Sequence, residues 1–237
     1  MRLRFFFLLI IGLLLTAPLD AQEVVIHEDL KGDTLKPTFG MNRKHYRHSF
    51  LGSHFFLGDS EGPSGKLRTG LSWAMEYGIR YKRRFNNVFS GGIEWSVKRL
   101  AYIPSDWGMA VLPYEEEIRK ERLVLIQTGP GIYQRINFQK RRGDFIGRFL
   151  DLGVYGYWNF SSRHVYSYDN ARDERVKVKT SRLSYIQPFD YGVLARLGFN
   201  NFVIRGSYRF SDHFKENSGM EEFPRFSLGL ELGLHPK

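Results

Sequence analysis

The feature that most constrains the fold of this chain is an alternation of apolar and polar side chains in eight separate stretches. Successive side chains of a β-strand point to opposite faces, so each stretch predicts a strand with one apolar and one polar face. The segments joining the stretches are alternately long and short along the chain. Antiparallel strands joined in this way have tight turns at one end and long loops at the other, which is typical of an up-and-down β-barrel in an outer membrane.

The strand boundaries follow from where each alternation begins and ends. The first stretch is the least regular, because Phe50-Leu51 and Phe55-Phe56-Leu57 interrupt its alternation. The predicted strands cover about residues 45 to 57, 71 to 82, 89 to 98, 122 to 136, 146 to 160, 189 to 199, 202 to 210 and 226 to 234.

Two asparagine-rich turns fix the register of two predicted hairpins. Asparagine tolerates positive φ, and keeping the faces in phase requires a two-residue loop at Asn200-Asn201 and a three-residue loop at Asn86-Asn87-Val88. The longer loop places Glu76 opposite Lys98 and Arg80 opposite Glu94 on the polar face, and Ile79 opposite Trp95 on the other. The shorter loop places Arg196 opposite Arg205, which requires an acid from a neighbouring strand.

The beginning of the chain predicts export. Arg2 and Arg4 precede an apolar run from Phe5 to Leu15 and a segment ending at Ala21, the order of a secretory signal peptide. Without residues 1 to 21, which hold two arginines and one aspartate, the formal charge changes from +10 to +9. Nucleic acid is not expected as the partner of an exported basic chain, whereas lipid phosphates would attract it. The chain has no cysteine, which excludes disulfides and thiolate metal sites.

The composition of the two faces predicts which one is inside. After the signal peptide no apolar run approaches the length of a spanning helix. The polar face is rich in glycine and in charges of both signs, as expected for a narrow lumen filled by ion pairs; a soluble lipocalin-type barrel would have the apolar face inside. The charged residues predicted to face the lumen are Arg80, Lys82, Lys98, Arg135, Arg196, Arg205, Arg209, Glu76, Glu94, Asp151, Asp190 and Glu231.

Aromatic side chains of the apolar face are predicted at both ends of the strands, where they would form the girdles of a transmembrane barrel. They are Phe85, Phe89, Phe199 and Phe202 at the tight-turn end and Trp73, Tyr102, Trp158, Phe189, Phe210 and Phe226 at the other.

From about Lys44 to Leu234 the chain resembles the small bacterial outer-membrane β-barrel proteins of the OmpA/OmpX type, a porin-like family, most specifically in its final strand from Phe226 to Leu234. The resemblance implies an even number of strands and both termini in the periplasm. It also implies four external loops, at about residues 58 to 69, 103 to 120, 161 to 181 and 211 to 223. The family usually ends on an aromatic residue, whereas here His235-Pro236-Lys237 follow Leu234.

Ser211-Asp212-His213 contains the residue types of a hydrolase triad, at the outer end of the seventh predicted strand. Adjacent residues of a strand point to opposite sides, so Ser211 and His213 share the lumen side and Asp212 does not. This spacing favours a polar loop start over catalysis, and we assign no catalytic residue.

Three histidines near the first strand, His45, His48 and His54, suggest a metal site by residue type alone. His48 and His54 share a face, His45 does not, and no acid lies close by, so the spacing does not favour a compact cluster. We interpret all three as interfacial histidines and predict no metal and no cofactor.

Two glycine-rich segments have simpler interpretations than ligand binding. The segment from Gly58 to Lys66 ends in Gly-Pro-Ser-Gly-Lys but has Leu67 where a phosphate loop needs Ser or Thr, which predicts a surface loop. Gly129-Pro130-Gly131 lies within a predicted strand, where proline removes a ladder donor, so it predicts a bulge or a barrel corner.

The segment from Ser161 to Arg182 is long and mixed in charge. Binding of lipid phosphates, binding of a partner and a solvated hairpin extension all fit its composition. Its cations are Arg163, Arg172, Arg175, Lys177, Lys179 and Arg182.

Together these features predict an all-β chain: a signal peptide at 1–21, a periplasmic leader at 22–44 and, at 45–237, an eight-stranded antiparallel up-and-down transmembrane β-barrel of the bacterial outer membrane. The predicted role is non-enzymatic, as a monomer that contacts outer-membrane lipid and has a structural or interaction role through its external loops, where a protein partner would bind. A lipid-modifying barrel enzyme, a narrow solute channel and a secreted lipocalin-like carrier remain as alternatives.

Overall fold

The strands of the protein form one antiparallel sheet. A computed structural model describes residues 38–58, 66–68, 70–105, 118–139, 146–170 and 172–235. Within these residues there are nine strands and a short 3-10 helix at Glu216–Ser218. The strands are β1 (His45–Leu57), β2 (Trp73–Arg84), β3 (Phe89–Tyr102), β4 (Ile118–Asn137), β5 (Arg148–Asp169), β6 (Arg175–Ser181), β7 (Phe189–Phe199), β8 (Phe202–Arg209) and β9 (Phe226–Leu234).

Pairing between the first and last strands closes the sheet into a ring. Each consecutive pair from β1 to β5 is hydrogen-bonded, β5 continues to β7, β8 and β9, and β9 returns to β1. Among the described residues, eight of the nine strands form the ring, and β6 pairs with β5 alone. The described residues contain one strand more than the eight predicted, because β6 lies in the segment predicted as the third loop.

Two strands of the ring are longer than predicted. β4 begins at Ile118 and β5 continues to Asp169, whereas β7 pairs with β5 only as far as Trp158. The outer part of this hairpin, together with β6, forms a three-stranded extension beyond the ring. We call it the flap and define it as residues 118–122, 159–169 and 175–181.

The two tight turns have the predicted lengths and registers. Phe199 pairs with Phe202 around Asn200, whose φ is 59°, and the Phe85 amide donates to the Phe89 carbonyl at 3.1 Å around the longer loop. Asn86 Oδ1 accepts hydrogen bonds from the amides of Val88 and Phe89 at 2.8 and 2.7 Å. The predicted pairs of β2 with β3 and of Arg196 with Arg205 are all present.

The polar face lies inside the ring and the apolar face outside, as predicted. All twelve charged residues predicted for the lumen are buried, and Arg205 has no exposed surface. On the outer face, by contrast, Leu230 is 66% exposed. One aromatic prediction was wrong: Tyr102 is buried on the lumen side, because the alternation that places Trp95 and Val97 outside turns residue 102 inward.

A bulge or a barrel corner was predicted at Gly129-Pro130-Gly131. Its pairing with β3 is continuous, so there is no bulge against that strand, but its pairing with β5 skips residues 129 and 130, and a register shift lies close by at Ile126/Gln127. A Cβ atom at residue 129 would lie 2.0 Å from the Gly156 carbonyl oxygen, so glycine is needed for the close approach of β5.

Some predicted segments lie outside the described residues. They are the signal peptide, the leader up to residue 37, and most of the loops at 58–69 and 103–120. In the described part of the chain, no helix has the length and apolar character needed to cross a membrane.

Candidate functional site

The centre of the ring is filled by a cluster of ion pairs contributed by six strands. Glu76 on β2 lies 2.7 Å from Arg205, 3.3 Å from Lys98 and 3.1 Å from His54. Its Oε1 also accepts hydrogen bonds from Ser96 and Tyr157 at 2.8 and 3.0 Å. The carboxylate therefore compensates the buried charges of Arg205 and Lys98. It also connects β2 to β5 and β8, which are not its neighbours in the ring.

The facing arginines of β7 and β8 find their counter-charges on other strands. Glu231 on β9 lies 3.4 Å from Arg196 Nε and 3.0 Å from Arg205 Nη1. Glu94 on β3 binds Arg196 from across the lumen and Arg80 at 2.9 Å. The predicted need for an acid from a neighbouring strand is met by Glu231 on β9, and Glu94 and Glu76 on the opposite wall add further counter-charges.

A second ion pair lies nearer the tight-turn end. Arg135 donates to both carboxylate oxygens of Asp151, at 2.7 and 2.9 Å. The Arg135 guanidinium carbon also lies 3.4 Å from the centre of the Phe149 ring. The pair is bidentate and stacked on the ring, and two parallel hydrogen bonds make an arginine–carboxylate pair stronger and more specific than a single one.

The outer mouth of the ring is covered by the segment that follows β8. Glu222 Oε1 accepts hydrogen bonds from the amides of His213 and Phe214 at 2.7 and 3.2 Å, and Glu222 Oε2 accepts one from Arg209 at 2.8 Å. Phe214 and Phe223 are buried with Tyr102 in an apolar cluster at this end. Part of the predicted fourth loop therefore folds back into the mouth.

The cavity left inside the ring is small. It has a volume of about 30 Å³ and is lined by polar groups that include His54, Lys98, Asp190 and Arg209. One water molecule needs about 10 to 15 Å³ of space measured in this way, so the cavity has room for about two water molecules. It is too small for an organic ligand.

The Ser211-Asp212-His213 segment does not form a catalytic triad. The Ser211 hydroxyl donates to Asp190 Oδ1 at 3.2 Å, and His213 Nδ1 lies 3.1 Å from Asp190 Oδ2. His213 Nε2 is hydrogen-bonded to the Tyr102 hydroxyl at 2.6 Å, so no ring nitrogen is directed to the serine. Asp212 points the other way and pairs with Arg225 at 2.6 Å, which confirms that Ser211 and His213 share a side without it.

The three histidines of β1 have different surroundings, and the expectation that no acid lies close by was wrong for His54, which is 3.1 Å from Glu76. His45 is half-buried, and its Nδ1 lies 2.6 Å from the hydroxyl oxygen of Tyr81. The prediction of interfacial positions was wrong for His48 and His54, which are buried in the lumen because their positions alternate with the outward residues of β1. The described residues contain no cluster of three metal-ligating side chains.

His235, immediately after β9, closes the tight-turn end. Its Nδ1 is 2.6 Å from the Tyr46 hydroxyl, and its ring centre is 4.8 Å from that of His48. Burial, with the nearby charges of Arg135, Arg80 and Lys82, lowers the pKa of His235 to about 4. The ring is therefore neutral at physiological pH. In the sequence His235 stands out only as a departure from a terminal aromatic residue, but its ring contacts the rings of Tyr46 and His48.

The comparisons with known proteins leave the family open. No family model matches the chain, and no curated protein matches it. Among solved structures it is similar to Ail, the attachment invasion locus protein of Yersinia pestis, in complex with the heparin analogue sucrose octasulfate. The identity is 12% and the TM-score 0.28, over 79% of this chain and 94% of that one. A TM-score this low supports no conclusion about function.

Proposed function

We propose that the protein is an integral β-barrel of the bacterial outer membrane and that residues 1–21 are its signal peptide. It has a structural or interaction role through its external loops. The observation that carries this proposal is the orientation of the closed sheet. Aliphatic and aromatic side chains such as Trp95, Ile132, Trp158 and Leu230 are each more than half exposed on the outer face. A water-soluble monomer rarely exposes a continuous apolar band of this kind, whereas lipid would cover it.

The same orientation argues against a lipocalin-like carrier. Such a carrier keeps its apolar face inside and binds its ligand there, but here the interior holds the ion pairs of Glu76, Glu94 and Glu231. The ion pairs that cross the lumen, such as Glu94 with Arg196, also argue against a solute channel. A lipid-modifying enzyme is disfavoured because Ser211 and His213 both contact Asp190 rather than each other.

Fractionation and gel mobility test the membrane proposal. The protein expressed in a bacterium with an outer membrane should remain in the pellet after a carbonate wash. It should also migrate faster on a detergent gel when it is left unboiled, because a closed barrel resists the detergent. Release into the soluble fraction, or identical mobility with and without boiling, would refute the proposal.

The enzyme alternative has its own test. Cells that carry the Ser211→Ala and His213→Ala variants should have the same surface-lipid composition as cells that carry the unchanged protein, measured by mass spectrometry of extracted lipid. A lipid species that depends on either side chain would favour the enzyme.

A further inference from the structure

The outer face of the flap and the adjoining end of β3 carry a concentration of cations contributed by four strands. In an antiparallel pair, residues directly opposite each other lie on the same face. Arg163 of β5 is opposite Val124 of β4, and Lys179 of β6 is opposite Val165 of β5. Together with neighbouring cations they line a groove of about 230 Å³. The cations of this groove, which we call the cationic groove, are Arg99, Arg122, Arg163, Lys177 and Lys179.

No acid lines the cationic groove. Of the flap acids, Glu121 lies on the opposite face, 2.6 Å from His164. Asp169 is on the same face as Arg163 but does not line the groove, and it is paired with Arg119 at 2.5 Å. Among the described residues, the five cations of the groove form no ion pair, whereas Arg80, Arg135, Arg196, Arg205 and Arg209 in the lumen are each paired with a carboxylate. Clustered like charges repel one another unless an anion lies between them. The groove is therefore suited to an anionic ligand with several charges.

An apolar groove lies beside the cationic one on the same outer face of the ring. It has a volume of about 390 Å³ and is lined by Trp95, Pro130, Trp158 and Phe189. Trp95 precedes Arg99 by four residues on β3, a distance of roughly 13 Å along a strand. A ligand that fills both grooves has an apolar chain at one end and anionic groups at the other.

We propose that the cationic groove binds the phosphates of a multiply phosphorylated lipid in the outer leaflet, with an acyl chain of that lipid in the apolar groove. The inference deepens the proposed function and depends on it, since it requires the apolar face to be in lipid. Four adjacent strands span about 15 Å, which suits two phosphates rather than one. A sulfated or phosphorylated polysaccharide would match the cations, but it has no part that would occupy the apolar groove.

Charge-removal variants at the two ends of the ring test this site. The groove variant combines Arg122→Gln, Arg163→Gln and Lys179→Gln. The matched control combines Arg47→Gln, Arg83→Gln and Arg148→Gln, which removes three exposed cations from the tight-turn end. The measurement is the Kd of each folded protein, in zwitterionic micelles, for a fluorescent bisphosphorylated glucosamine lipid. The groove variant should bind about 10- to 100-fold more weakly, and the control within about twofold of the unchanged protein.

Three results would overturn the proposal. Equal weakening by both variants would indicate general attraction by net charge. Equal affinity of the unchanged protein for the dephosphorylated lipid would show that the phosphates are not recognised, and this comparison needs no variant to fold. Binding of a sulfated polysaccharide, lost in the groove variant, without binding of the lipid would assign the groove to a glycan.

The membrane proposal is tested by a separate measurement, the mobility on a gel. Each protein is first checked for faster migration on an unboiled gel. A protein that shows this mobility and does not bind the phosphorylated lipid refutes the lipid site alone, whereas loss of the mobility in the unchanged protein refutes the barrel proposal itself.

Discussion

At the scale of single residues, Glu76 is the most connected acid of the lumen. It is buried on Arg205, Lys98 and His54, and it accepts further hydrogen bonds from Ser96 and Tyr157. Removing one partner from a buried ion pair is costly, because the remaining charges lose their compensation in a medium that cannot solvate them. The stability of the ring is therefore expected to depend strongly on this one carboxylate.

Glu76→Gln should lower the free energy of unfolding by about 3 to 5 kcal/mol, measured by urea titration of the folded protein in detergent. The control Glu216→Gln alters an exposed acid in the segment after β8 and should change it by less than about 0.5 kcal/mol. Adding Lys98→Met to Glu76→Gln removes one uncompensated cation and should recover part of the loss. Equal stability of Glu76→Gln and Glu216→Gln would contradict this account of the lumen.

His235 gives the tight-turn end a dependence on pH. Its pKa is lowered from 6.5 in the unfolded chain to about 4 in the folded protein, so the unfolded chain binds the proton more readily between these values. Stability from this residue is fully present above pH 6.5 and is lost as the pH falls towards 4. As the pH falls, the urea midpoint of the wild-type protein should therefore decrease relative to that of His235→Asn. A difference between the two midpoints that stays constant from neutral pH to pH 4 would contradict this role of His235.

At the scale of the element, the β7–β8 hairpin depends on one left-handed residue. Asn200 has a φ of 59°, and its Oδ1 accepts a hydrogen bond from the Ile146 amide at 3.3 Å. A β-branched residue is strained at positive φ, so Asn200→Val should destabilise the protein by about 1 to 3 kcal/mol in the same urea assay. Asn200→Asp retains an acceptor and tolerates this φ, so it should be nearly neutral. Asn201→Val, one residue later at ordinary φ, is the matched control, and equal losses at both positions would exclude backbone strain as the cause.

At the scale of the whole molecule, the ring is closed by pairing and filled by side chains. An eight-stranded barrel encloses an interior just wide enough for its own side chains, and here the mouth is also covered by Phe214 and Phe223. The protein reconstituted in planar bilayers should therefore give no conductance steps above those of protein-free bilayers. A larger barrel of known conductance is the positive control. Regular steps that require this protein would restore the channel alternative.

The sequence by itself determined the strands of the ring, their facing and the register of two hairpins. These features are local: the period of two assigns each side chain to a face, and a turn of known length fixes which residues lie opposite each other. Glu76 opposite Lys98 and Arg196 opposite Arg205 were predicted on this basis and are present.

Only the tertiary structure decided which charges meet across the lumen. The contacts of Glu94 with Arg196 and of Glu76 with Arg205 join strands that are not neighbours, and they depend on how far the strands are staggered when the ring closes. The same holds for Asp190 beside His213, for the fold of the segment after β8 and for the cationic groove. The groove collects residues from four strands only because β4 and β5 extend past the ring, where β5 also pairs with β6, and a period of two does not specify where pairing stops.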